Sequence, residues 1–173
     1  MATERTRLVL TDEHRLNPEI ATVLNLSGEA SDAVSTALAE TYAAMMALRE
    51  NDMEIRQHRR KGINIKIPNL GEEGKPLQAE LERTLRAQMG DERYNTFMDA
   101  NWADLEREFF YFGQARQSLR FRSYNDKKTG EPKMWYQDRF YFSQGENNKI
   151  IYQHAGKSTN VPDGYESYVE WEF

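Results

Sequence analysis

The chain has 173 residues, enough to bury a real core as one ordinary domain and tight for two. Aromatic residues at 12% argue against wholesale disorder, while 29% charged residues and a mean hydropathy of -0.86 describe a well-solvated surface. A net charge of -5 gives no general attraction to phosphate backbones, the lack of cysteine excludes disulfides, thiolate metal sites and cysteine nucleophiles, and no run of about 18 apolar residues is present to span a membrane.

Met1 opens a stretch, MATERTRLVLTDEHR, without the apolar core of a secretory signal. The compartment stays open: cytoplasmic if the chain starts there, extracytoplasmic if a signal or anchor precedes it. TRLVL at 6–10 is a short β-prone run, and Pro18 heading PEIATVL suits the first turn of a short helix. Ser27, Ser31 and Asp32 offer caps for a long amphipathic helix over 31–58, with Val34, Leu38, Thr41, Met45, Leu48 and Ile55 on one face. The basic run Arg56, His58, Arg59, Arg60 and Lys61 then has two readings. Cations in a last helical turn complement the negative end of the helix dipole, with Gly62 as the stop; alternatively, together with Arg120 and Arg122, they form an anion or RNA-backbone patch.

INIKI at 63–67 alternates isoleucine with polar residues, the period of a half-buried strand or extended connector. NLGEEGKP reads as a loop, after which Pro76 opens a helix carrying Leu77, Leu81, Leu85 and Met89. Tyr94, Phe97, Met98, Trp102, Leu105, Phe109 and Phe112 form one aromatic stripe on a further helix, capped by Asp91 and ended by Gly113. These two helices make an αα-hairpin expected to pack on the long helix.

Beyond Gly113 the period changes. Residues 118–124, 133–143, 149–155 and 165–173 are rich in aromatic and β-branched types, separated by turn compositions, which predicts a four-stranded antiparallel meander. Arg120 and Arg122 share one face, as do Trp135, Arg139 and Tyr141. Glu166, Glu170 and Glu172 are expected to pair with the arginines across strands. The whole reads as a single α+β domain over 1–173, with a helical layer at about 16–113 and the antiparallel sheet at about 118–173 packed on it.

Catalytic constellations are missing from the pattern. His14, His58 and His154 are scattered, no GxSxG elbow or phosphate loop occurs, and Glu54 with His58 is too small a set for a metal. No catalytic residue, metal ligand or cofactor is called for. Three uses remain open: a protein-binding or self-associating module, a small-ligand-binding domain or small enzyme with a pocket between sheet and helices lined by Trp102, Tyr136, His154 and Trp171, or nucleic-acid binding through the basic patches. The protein partner or second copy of the chain is placed first, and nucleic acid last.

Two short pieces, LSGEA at 26–30 and MGDER at 89–93 followed by Tyr94 and Phe97, resemble the LTxxQ helix starts of the Spy-type periplasmic chaperone family. The resemblance covers the helical part, about 16–112. It implies a helical hairpin protein of an extracytoplasmic compartment that binds other proteins.

Overall fold

The computed structural model describes residues 9–58, 62–144 and 147–158. The chain divides into two compact units, a helical one made of residues 1–51 and 70–114 and a sheet unit made of 52–69 and 115–173. Each is discontinuous in sequence because the helical hairpin is inserted between two neighbouring strands of the sheet.

In the helical unit, Asn17 caps α1 (Pro18–Val23) by accepting from the Glu19 amide at 2.9 Å. Ser27 serves the same purpose for α2 (Gly28–Asn51), where its hydroxyl accepts from the Ala30 amide at 3.2 Å. The buried face of α2 is Val34, Ser35, Leu38, Thr41, Met45 and Arg49, close to the stripe the periodicity predicts. Packed on it is α3 (Gly71–Met89), with Leu81, Leu85 and Met89 buried, and α4 (Asp91–Glu108), with Tyr94, Phe97 and Leu105 buried, packs in turn against α3. The αα-hairpin is therefore present, and its apolar side chains share one core with Val34, Leu38 and Met45.

Three boundaries differ from expectation. α3 begins at Gly71, and Pro76 lies inside it. The loss of one backbone hydrogen bond at Pro76 is outweighed by packing of the first turns, where Gly71 and Gly74 are buried. Asp91 does not cap α4. Gly90 occupies that position, and Asp91 in the first turn accepts from Arg86 at 2.7 Å. Nor does the aromatic helix run on to Gly113: α4 stops at Glu108, and Phe110, Tyr111, Phe112 and Gly113 follow with φ of 55°, 55°, 46° and 73°, a left-handed turn. For the three aromatic residues that conformation costs about 1–2 kcal/mol each. Burial of Phe109 and Phe112, together with the Leu70 amide donating to the Gly113 carbonyl at 2.8 Å, holds it in place.

Among the described residues the sheet unit is a five-stranded antiparallel meander in the order β1 (Glu54–His58), β2 (Gly62–Ile67), β3 (Arg116–Asn125), β4 (Pro132–Gln144) and β5 (Asn147–Ser158), where four strands were expected. The antiparallel sheet of an α+β fold is as expected, but its first two strands come from sequence assigned to the helical layer. The long helix ends at Asn51 rather than at residue 58, because Ile55 and Gln57 find cross-strand partners in Ile65 and Ile63. Asn51-Asp52, both poor helix formers, mark the change. The strands expected at 6–10 and 165–173 extend outside the described residues.

Alternation sorts the sheet into two faces. Ile63, Ile65 and Ile67 lie opposite Phe121, Leu119 and Gln117 on one face, and all six are buried. Met134 and Phe140 extend that buried row. The other face is polar and is where the charges collect.

Candidate anion-binding face

On β3 the residues alternating with Gln117, Leu119 and Phe121 are Arg116, Ser118, Arg120 and Arg122, the three arginines exposed and the serine half-buried. Register then fixes what stands beside each. Arg120 pairs with Asn64 of β2, which in turn pairs with Arg56 of β1; Ser118 sits between Lys66 and Arg139; Arg122 faces Trp135, and Arg116 faces Tyr141. Six cations, Arg56, Lys66, Arg116, Arg120, Arg122 and Arg139, thus share one face of four consecutive strands. Among the described strand residues the acid on that face is Glu54, which Arg56 engages at 3.2 Å. No described carboxylate lies within ion-pair distance of Lys66, Arg120 or Arg122.

A shallow cleft of about 640 Å³ opens here, lined by Arg56, Lys66, Arg116, Ser118, Arg120 and Tyr141, with Asp52 and Glu54 at its acidic rim. Arg139 is oriented by donating from Nε to the Gln153 side-chain oxygen at 3.0 Å. The β3–β4 hairpin at one end is closed by Asp126, whose Oδ2 accepts from Lys133 at 2.6 Å while Oδ1 accepts from the Lys128 amide at 2.8 Å. The Lys133 ammonium, and after it the Lys128 amide, hold the Asp126 carboxyl down to about 2.

The net charge conceals this division. The helical unit carries 9 Lys and Arg against 18 Asp and Glu, the sheet unit 14 against 10. An acidic whole therefore contains a basic part.

Of the basic residues singled out from sequence, Arg56, Arg120 and Arg122 come together on this face. The reading of Arg56 and His58 as a helix's last turn is overturned, since both lie on β1, with His58 paired to Gly62 at the strand's end. Arg59, Arg60 and Lys61 connect β1 to β2 and lie outside the described residues, as does the stretch with Glu166, Glu170 and Glu172. Lys66, Arg116 and Arg139 were missed as members of the patch. Their signal was alternation on strands, legible only once the register joins β1 and β2 to β3 and β4.

The residues expected to line a pocket fall differently. Tyr136 and His154 meet across β4 and β5, with the phenol oxygen 3.2 Å from Nδ1 and the rings edge to face. Burial, with a smaller push from Asp138, raises the Tyr136 phenol above its usual range. Trp102 belongs to the helical unit, where it stacks on Phe112 with centroids 5.8 Å apart, and Trp171 lies outside the described residues.

The helical unit has its own polar cluster. His14 stacks on Tyr42 at 3.3 Å, its Nδ1 lies 2.8 Å from a Glu108 carboxylate oxygen, and the Arg49 guanidinium covers the Phe110 ring at 3.5 Å. Those contacts tie α2 and the 9–16 segment to the left-handed turn. Among the described residues no group of three His, Asp or Glu side chains is placed to hold a metal, and no helix is long and apolar enough to cross a membrane.

No family model, no curated protein and no solved structure matches this chain. The likeness to Spy-type chaperones rests on the two short pieces alone, at the starts of α2 and α4.

Proposed function

We propose that the sheet unit is a non-enzymatic binding module that takes a polyanionic chain along its basic face. The observation that carries this is the alignment of Arg56, Lys66, Arg116, Arg120, Arg122 and Arg139 on one side of β1 to β4. Like charges gathered on one sheet face repel one another, here across diagonals, since Asn64 and Ser118 hold the directly paired positions between them. Their mutual repulsion is offset when an extended anion lies along them and its condensed counterions are released into solution. Apolar recognition of a protein partner has less support: among the described residues the large apolar side chains left exposed are Val23 and Ile55, in different units.

The test is fluorescence anisotropy with a labelled heparin fragment over a salt series. The wild type is expected to bind with an affinity falling steeply as salt rises. Arg120→Glu combined with Arg122→Glu should weaken binding about tenfold or more at low salt and flatten the salt slope. Both side chains are exposed, so circular dichroism should be unchanged. Binding that ignores salt, or that survives the double substitution intact, overturns the proposal.

A further inference from the structure

The basic face is not made of cations alone. Trp135 and Tyr141 are half-buried on β4, and they stand directly opposite Arg122 and Arg116 of β3. Each aromatic residue is therefore paired with an arginine on the neighbouring strand. The rings are six residue steps apart, about 20 Å along an antiparallel strand. Between them lie Arg120 on β3 and Arg139 on β4, so the face reads aromatic and cation at one end, cations in the middle, and aromatic and cation at the other. Residues two apart on one face are about 7 Å apart, close to the repeat of an extended polynucleotide backbone.

Resting on the reading above, we infer that the polyanion is single-stranded nucleic acid, lying along β3 and β4, with phosphates over the arginines and bases stacked on Trp135 and Tyr141. Rings and phosphates demand different things from a surface. A sulfated or phosphorylated polymer without bases is held chiefly by the cations and gains less from flanking ring faces than a chain that carries planar bases. A duplex hides its bases in its own stack, and a broad five-stranded sheet is too wide for the major groove, which admits a helix or a two-stranded ribbon. A single strand offers unstacked bases beside its charges, and aromatic rings flanked by arginine are how sequence-tolerant single-strand surfaces engage them. The cleft beside Tyr141, lined by Arg56, Lys66, Arg116 and Arg120, has room for a phosphate and sugar next to a stacked base.

The experiment measures anisotropy of the full chain with labelled 12-mers of deoxythymidine and uridine, a duplex of equal length, and the heparin fragment. Wild type is compared with Trp135→Leu, Trp135→Phe and Tyr141→Leu, each checked for an unchanged thermal midpoint. The single strands are expected to bind more tightly than the duplex. Trp135→Leu and Tyr141→Leu should each weaken single-strand binding about tenfold, leave heparin binding and the salt slope unchanged, and Trp135→Phe should restore most of the loss. Intrinsic tryptophan fluorescence should fall on addition of the 12-mers and stay constant with heparin. If heparin binds and the aromatic substitutions leave the single strands untouched, the base-stacking inference is overturned while the basic face stands. If neither heparin nor any oligonucleotide binds, both are overturned.

Discussion

Asp126 shows how much one side chain does at the edge of the basic face. It accepts from the Lys133 ammonium and from the Lys128 amide, and the Asp126 amide in turn donates to the Glu131 carbonyl at 2.8 Å, so the turn between β3 and β4 is closed from both sides. Its carboxyl sits at about 2 against an ordinary 3.8, the Lys133 hydrogen bond being the larger cause. A depressed carboxylate stabilises the fold fully above its unfolded value, and that contribution is lost as pH falls through the folded one. Asp126→Asn is therefore expected to lower the urea midpoint at pH 6, with the gap from wild type closing between pH 4 and pH 2. Carboxyl titration by NMR should place Asp126 near the bottom of that window. A gap that persists at pH 2 would mean the carboxylate's charge is not what closes the turn.

At the scale of elements, the left-handed turn and the first turns of α3 form one piece. A Cβ built on Gly74 would stand 1.9 Å from the Phe112 carbonyl oxygen and 2.6 Å from its carbon. That neighbour is backbone and cannot swing aside. Gly74→Ala gains about 1 kcal/mol of helix propensity, but opening the contact costs about 1–3 kcal/mol or more, and it would also disturb a turn already carrying three strained aromatics. The net expectation is a thermal midpoint lowered by several degrees. Gly28→Ala, at a helix start with nothing within 4 Å, should leave the midpoint almost unmoved. The turn itself was not legible in sequence, because Phe109 and Phe112 keep helical spacing across it and periodicity alone reads straight through. The same blindness placed residues 54–58 on a helix: Ile55 falls at helical spacing from Leu48, and only pairing with β2, a partner outside any local window, makes it a strand. Where a pattern was long and its partners near, as in β3 and β4, both faces could be named from alternation alone.

For the whole molecule, charge is organised by unit and not by total. Positions of the basic residues were legible in the sequence, but the face was not, since Arg56 and Lys66 join Arg116, Arg120, Arg122 and Arg139 only through a register that bridges the inserted helical hairpin. The pI near 5.3 predicts a protein that ignores cation exchangers at neutral pH. The division into a helical unit with twice as many acids as bases and a sheet unit with bases in excess predicts otherwise. At 0.1 M salt, charges are screened beyond about 10 Å, so a resin or ligand touching the sheet's basic face responds to the charges within that radius and little to those farther away. The chain is expected to be retained at pH 7 and about 0.1 M salt on both anion- and cation-exchange columns. Arg120→Glu with Arg122→Glu should abolish retention on the cation exchanger alone, and charge-neutralising changes on α3 such as Glu80→Gln should weaken retention on the anion exchanger alone. Passage of the wild type straight through the cation exchanger would show that its net charge outweighs the local field, and the basic face would then lose its standing as a long-range attractor of polyanions.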